Sequence, residues 1–278
     1  MGQIREIWLE NELGQQDEPP PHRPAPSCFR HELETGEMWV AERNGRLIGF
    51  AAILDRGPST YLAELFVRPA CQSAGVGQAL LARTRPRDGR EFCTLSSTDP
   101  RAHALYLRAG MRPKWPCYNL RAKTDELTVP PADGVEAAEA EEDDWEFLRS
   151  DADIGTFFNR ADHGYLVAER AAVPLSFRRG SEPVGYGYAQ TRDDEAFWYP
   201  DAITLGPIGA TTAEDGAACV AAAVAWARPR ADIIQTAMPG PHAGLGPLVE
   251  AGFKIIDLDT FFSTDERSFN PFDRYIFF

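Results

Sequence analysis

The sequence predicts an α/β (α+β) chain built from two tandem units of one design. Three observations carry this: a strand that passes through a glycine-bearing loop straight into a helix, a capped amphipathic helix downstream of it, and a second pass of the same pattern in the C-terminal half. In the first, Tyr61 to Val67 is rich in β-branched and aromatic residues, and Pro69 stops it. Gln72, Gly75 and Gly77 follow as Gln-x-x-Gly-x-Gly, and Val76, Leu80 and Leu81 then recur at helical spacing. A glycine-led helix N-terminus presents unpaired N–H groups and the positive end of the helix dipole, which suits a pyrophosphate.

The second element follows a strand-like run from Arg90 to Ser96. In DPRAHALYLRAGM, Ala102, Leu105, Tyr106 and Ala109 fall at i, i+3, i+4 and i+7. Asp99 suits the cap of that helix, Pro100 its first turn and Gly110 its end.

The third is the repeat. MWVAERNGRLIGFAAI and YLVAERAAVPLSFRRGSEPVGYGYAQ both read as hairpins, and each leads to a strand, a helix and a short apolar segment ending in glycine. A shift of 141 residues lays Val67 on Ile208, Gly75 on Gly216 and Gly77 on Ala218, and a shift of 142 lays Gly110 on Gly252. The copy differs where chemistry would sit: Gln72 becomes Ala213, Tyr106 becomes Leu248, and Glu214 and Asp215 put carboxylates at a helix start, where they would repel a phosphate.

At 278 residues the chain exceeds a typical domain of about 150. The expected division is residues 1–125, an acidic Ala- and Pro-rich linker over 126–141 without strand periodicity, and residues 142–278. The stretch from Glu18 to Pro26 reads as a loop. Few residues precede Met38, so the first unit is expected to be trimmed at its start.

The formal net charge of −14 argues against nucleic acid, whose phosphates call for basic surface, and favours a cationic acceptor. A GC-rich bacterial genome gives the same balance, since only three lysines occur among 28 basic residues. No apolar run approaches the ~18 residues of a membrane span, and no signal peptide opens the chain, so no membrane partner and a cytoplasmic location are expected. Cys28, Cys71, Cys93, Cys117 and Cys219 show neither disulfide nor zinc spacing, and no metal is implied.

Together the two motifs of the first half resemble those of the GCN5-related N-acetyltransferase (GNAT) superfamily. Its second motif reads Asn-x-x-Ala-x-x-Leu-Tyr-x-x-x-Gly-Phe. Ala102, Leu105, Tyr106 and Gly110 match it, while Asp99 replaces the Asn and Met111 the Phe. The resemblance implies two units, each a mixed, mainly antiparallel sheet flanked by helices, and the residue differences in the copy make the first half the working one and the second degenerate. It implies acetyl-coenzyme A as cosubstrate, and acetyl transfer to a primary amine of a small acceptor by direct attack in a ternary complex.

The resemblance also assigns roles. A strand bulge placed at Phe66 and Val67 would expose N–H groups to the pantetheine and thioester. The amides of Gln72, Ser73, Ala74, Gly75, Val76, Gly77 and Gln78 would hold the pyrophosphate, and Asp99 and Ala102 would line the pantetheine arm. Tyr106 would donate a proton to the departing thiolate; the alternative is a core tyrosine.

Glu64 is the candidate base. Strand alternation puts it on one face with Leu62 and Phe66, where apolar neighbours would raise its pKa. A salt-bridged glutamate with ordered water as the base is the alternative. Ser96 and Ser97 either line an acceptor pocket or bond locally. His31, His103 and His163 read as structural or exposed, His103 on the solvent side and His163 in a loop. AFWYPD, Ala196 to Asp201, offers aromatics and a carboxylate to a cationic amine, or is a core strand. RSFNPFDRYIFF is expected to dock on a domain or to make a dimer contact; monomer and homodimer both remain open. A non-catalytic acyl-coenzyme A sensor or scaffold, or a transferase of longer acyl groups, fits the same residues.

Overall fold

The computed structural model describes residues 1–13, 26–140, 159–191, 199, 201–266 and 271–276. The proline-rich stretch over 18–25, the linker end near Trp145, residues 196–198 and 200, and the aromatic positions in 267–270 and 277–278 lie outside these. The chain divides into two compact units. The first comprises Met1–Lys114 with Glu195–Trp198 and Phe261–Phe269, and the second Trp115–Asp194 with Tyr199–Thr260 and Asn270–Phe278.

The first unit opens with α1 (Gly2–Leu13) and α2 (Cys28–Thr35), then β1 (Glu37–Arg43), β2 (Arg46–Arg56) and β3 (Ser59–Val67). Helix α3 (Val76–Thr84), β4 (Glu91–Ser96), α4 (Pro100–Arg108) and the start of β5 (Arg112–Lys123) follow. Strands β1, β2 and β3 pair antiparallel in sequence order, and β4 joins β3 in parallel. Next to β4 lies β11 (Lys254–Ser263), whose end from Phe261 belongs to this unit. Thr264 N–H donates to Phe92 O at 3.0 Å, and Phe92 N–H donates to Thr264 Oγ1 at 2.9 Å. A strand remote in sequence thus completes the first sheet.

Two apolar layers cover this sheet. On one face Leu62, Leu80, Leu81, Tyr106, Met111 and Phe262 bury α3 and α4. On the other, Ile4, Ile7, Phe29 and Phe50 bury α1 and α2, with Phe66 packed against them. The ring of Phe50 meets Phe29 edge-on at 5.7 Å and stacks on Phe66 at 5.6 Å.

The second unit has the same run of helix, three strands, helix, strand, helix and strand, with one more strand before it and another after it. Its β6 (Val135–Glu139) is followed by α5 (Arg160–Glu169), β7 (Ala172–Arg179), β8 (Glu182–Gln190), β9 (Ile203–Ala210), α6 (Ala213–Ala227), β10 (Ile233–Pro239), α7 (Leu245–Glu250), the start of β11, and β12 (Tyr275–Ile276). Strands β6 to β9 pair antiparallel in order, β10 joins β9 in parallel, and β5 lies antiparallel to β10.

Strand β6 stands where a linker without strand character was expected. Its five residues are Val-Glu-Ala-Ala-Glu, and alanine and glutamate carry little strand preference of their own. Pairing with β7 and burial of Val135 hold the segment extended. His163 lies in α5, not in a loop, and its Nδ1 stands 2.7 Å from the Tyr188 hydroxyl.

Helix α2 sits on β2 through Gly36. A Cβ at Gly36 would lie 2.0 Å from Ile53 O and 3.0 Å from Glu32 O, so only glycine lets the helix end approach the strand this closely. Gly36→Ala should lower stability by about 1–3 kcal/mol, the usual cost of forcing extra volume into a packed site. Urea denaturation of the variant checks this; an unchanged midpoint would mean that α2 is not seated on β2 in this way.

Candidate active site in the first unit

The site begins where β3 and β4 part. Their parallel ladder covers only Ser59↔Glu91, Thr60↔Phe92 and Tyr61↔Cys93. Just beyond, the Thr94 hydroxyl donates to Leu62 O at 2.8 Å, and the two strands then continue separately to Val67 and Ser96. At the same level β3 carries a bulge. Leu62 pairs with Ile53 and Glu64 with Ala52, which leaves Ala63 as the extra residue.

The bulge corrects two expectations. Phe66 and Val67 keep regular register with Phe50 and Gly49, so the irregularity lies at Ala63 instead. Because one extra residue reverses the alternation, Leu62 is buried with α3 and α4, whereas Phe66 packs on the α1 and α2 face. Glu64 goes with Phe66: its carboxylate gathers with Cys28 and Glu32 of α2, donor atoms all within 4.8 Å of one another.

Sequence reading did not single out Glu32. It is only 5% exposed, and its Oε2 is buried without a hydrogen-bond partner. Burial pushes its carboxyl up to about 8. The sequence signal was the i, i+4 spacing of Cys28 and Glu32 around Phe29, which puts all three on the inner side of a short helix.

The loop after β3 is held from several sides. Arg68 is buried, donates from Nε to Leu47 O at 2.7 Å, and forms ion pairs with Glu6 at 3.0 Å and with Glu10. The Gln72 amide donates to Asn11 Oδ1 and to Val67 O, each at 3.1 Å, and its Oε1 accepts from Arg101 at 2.6 Å. Ser73 and Gly75 both have positive φ, 61° and 82°. Gly75 is the N-cap of α3 in the left-handed region, with no side-chain cap, and Ser73, Ala74 and Gly75 are exposed. A Cβ at Gly75 would meet nothing within 4 Å, so this glycine is set by backbone conformation alone. The amides of Val76, Gly77 and Gln78, which a first helical turn cannot pair internally, sit directly after it.

Asp99 caps α4, accepting from Arg101 N–H at 2.8 Å, and pairs with the Arg101 guanidinium at 2.8 Å. The hydrogen bond from that side chain holds its carboxyl below the usual range. Arg101, which the sequence reading passed over, thus links the start of α4 to Gln72 in the loop. The partly buried Ala102 packs with the α3–α4 layer.

Tyr106 is buried in that layer, its ring 5.5 Å from Phe262. Burial raises its phenol well above the ordinary value, Thr94 opposes the shift, and the charge of Glu64 adds to it. The His103 ring lies 5.0 Å from Phe262 and its Nε2 is 2.9 Å from Ser97 O, so this half-buried residue ties α4 to the end of β4. The Ser96 hydroxyl donates locally to Ser97 O at 2.9 Å.

The second unit builds the same fork and fills it. Strands β9 and β10 pair at Ile203↔Ile234, Thr204↔Gln235 and Leu205↔Thr236, and the Thr236 hydroxyl donates to Leu205 O at 2.8 Å. Beyond this point β12 pairs antiparallel with β9, Tyr275↔Gly209 and Ile276↔Ile208. Ala210 N–H donates to Arg274 O at 3.2 Å, and Ala243 N–H donates to Asp273 O at 3.3 Å.

The helix start of this unit is occupied as well. Asp215 accepts from the Thr211 and Thr212 hydroxyls at 2.7 Å each and from Arg179 at 2.6 Å. Burial alone would raise its carboxyl, but the bonds from Thr212, Thr211 and Arg179 outweigh it and the net shift is downward. Gly216 is no counterpart of Gly75. Helix α6 starts earlier, at Ala213 behind the Thr212 cap, and a Cβ at Gly216 would lie 2.8 Å from Arg274 Cα. Of AFWYPD, Tyr199 carries the Arg121 guanidinium 4.5 Å above its ring, so that face is already taken by a cation.

Residues 34–112 match the family model of the acetyltransferase (GNAT) domain. The first unit carries a GNAT domain. This is a fold family of N-acyltransferases that use acyl-coenzyme A donors. Over the whole chain the fold is similar to that of a solved acetyltransferase of Pyrococcus horikoshii described as putative, at 14% identity and TM-score 0.69, covering 100% of this chain and 90% of that one. It is also similar to a tandem GNAT protein from the clavulanic acid biosynthesis pathway, at 16% identity and TM-score 0.58, covering 96% and 95%. A GCN5-related N-acetyltransferase of Sphaerobacter thermophilus matches at 14% identity and TM-score 0.59, covering 94% and 91%. No curated protein matches the chain. No helix among the described residues is long and apolar enough to cross a membrane.

The raised Glu32 carboxyl makes a stability prediction. An acid raised from 4.5 to about 8 contributes stability that is present below 4.5 and lost as pH rises through about 8. Denaturation midpoints of the wild type should therefore fall between pH 5 and pH 9 by more than those of Glu32→Gln. Parallel pH profiles for the two proteins would remove Glu32 from this account.

Proposed function

We propose that this chain is an N-acetyltransferase that moves the acetyl group of acetyl-coenzyme A to a primary amine of a small acceptor, by direct attack in a ternary complex. The observation that carries the reading is the parting of β3 from β4 beside the glycine-led start of α3, which has no side-chain cap. The edge of β3 past Ala63, including Phe66 and Val67, lies along the pantetheine arm and polarises the thioester. The amides from Gln72 to Gln78 receive the pyrophosphate, with the Arg101 guanidinium as an added cation. Asp99 and Ala102 hold α4 beside the arm.

The chemistry needs a neutral amine, a polarised carbonyl and a proton for the thiolate. Glu64 takes a proton from the acceptor. The amine attacks the carbonyl carbon, the C–N bond forms and the C–S bond breaks. Tyr106 meets the departing sulfur. Its raised phenol keeps its proton through the working pH range and stabilises the thiolate first by a hydrogen bond.

The cofactor occupies the first unit only. Supporting this, the second fork holds β12 and the start of α6 holds Asp215, so both seats that the cofactor would need contain the chain's own groups.

Calorimetric titration of acetyl-coenzyme A should give one site per chain, abolished by Gly75→Glu. Gly75→Ala serves as the control for left-handed strain of about 1 kcal/mol. Two sites would end the one-unit reading, and no binding would end the transferase reading. Tyr106→Phe should cut turnover about a hundredfold with little change in cofactor affinity; an unchanged rate would take Tyr106 out of the mechanism.

A further inference from the structure

The acceptor side of the first unit contains a feature that acyl transfer as such does not require. Two carboxyl groups from different elements, Glu32 of α2 and Glu64 of β3, are brought together with Cys28, their donor atoms within 4.8 Å. Glu32 is the inner member, 5% exposed, with one oxygen buried and unpartnered. Glu64 is the outer member and is half-buried. The placement is costly, because a buried carboxylate beside another destabilises both, and one of the pair must keep a proton.

Several structural features enforce the arrangement. Gly36 lets α2 press onto β2, the Ala63 bulge turns Glu64 to the α2 side, and the Phe29, Phe50 and Phe66 layer keeps water away. The Cys28 thiol is the other titratable group of the cluster. From the opposite layer Tyr106 senses the Glu64 charge.

We propose that Glu32 and Glu64 together form the recognition site for a cationic primary amine, exchanging one proton for one ammonium group. The proposal rests on the amine-acetylation reading above and specifies its substrate class. At rest the pair holds one proton, on Glu32, and one negative charge. An incoming R–NH3+ makes the second charge favourable, and the Glu32 proton leaves to solvent. The ammonium then returns one proton to the pair, giving R–NH2 and a pair again singly protonated. The amine nitrogen attacks the thioester carbon, the C–S bond breaks, and the nitrogen's surplus proton ends on the coenzyme A thiol. The balance is R–NH3+ plus acetyl-coenzyme A to the amide, the free thiol and one proton in solution. An alcohol or a neutral amide offers no charge to exchange and is rejected.

The test reads the carboxyl directly by infrared difference spectroscopy on the full-length protein at pH 7, with n-butylammonium as probe and 1-butanol as its uncharged match. The wild type should show the C=O band of a protonated buried carboxyl, lost on adding butylammonium and untouched by butanol. The band should be missing from Glu32→Gln and present in Tyr106→Phe. A band that persists under butylammonium, that responds equally to butanol, or that survives in Glu32→Gln would overturn the proposal. Because the wild-type measurement decides by itself, a poorly folded variant does not rescue it. Titration of acetyl-coenzyme A separates the two readings: a discharged band without cofactor binding keeps the pair and removes the transferase, and cofactor binding with an inert band removes the pair alone.

Discussion

Everything distinctive in the first unit depends on the parting of β3 from β4. Two parallel strands that ran on together would satisfy each other's backbone groups and leave no seat for an extended ligand. Here the ladder stops after Tyr61↔Cys93, and a side-chain bond from Thr94 to Leu62 O closes its end. The bulge at Ala63 lies at the same level and increases the local twist, so parting and bulge are two expressions of one distortion. It opens an edge of β3 toward α3 and α4, and it turns Glu64 through the sheet to α2.

The second unit supplies an internal comparison. It has the same three-pair ladder, the same threonine-to-carbonyl bond and the same kind of irregularity in β9, whose register against β8 shifts between Gly187 and Ala189. An opened strand edge invites another strand, and here the chain's own β12 takes the place. At the helix start the Thr212 hydroxyl accepts from Asp215 N–H at 3.1 Å, so a side chain of the protein caps the turn that the first unit leaves without a side-chain cap. One scaffold thus presents two arrangements: among the described residues no strand enters the first fork, and β12 enters the second.

The sequence made local chemistry legible. The left-handed cap at Gly75, the Asp99 cap with Pro100 behind it, and the apolar stripe that carries Tyr106 are all encoded within a few neighbouring residues. Long-range pairing was not legible. Nothing near Tyr106 announces that Phe262 will pack on it, or that Tyr275 and Ile276 will close the second fork. A one-residue bulge leaves no mark in an alternating pattern, and for that reason the sequence pairs Glu64 with Leu62 as well as with Phe66, whereas only Phe66 shares its face. Glu32 was hidden because a glutamate in a short helix reads as solvated until packing shows which side is covered. Strand β6 was missed for the converse reason, since its alanines become strand only through their partner.

The most direct test of the central claim, that the first fork is the working seat and the second is filled, is hydrogen exchange with and without acetyl-coenzyme A. The account predicts slowed exchange confined to peptides spanning 62–80 and 97–106, with amides of 206–216 already protected in the free chain by β12 and unchanged on addition. New protection in 206–216, or none in 62–80, would contradict it.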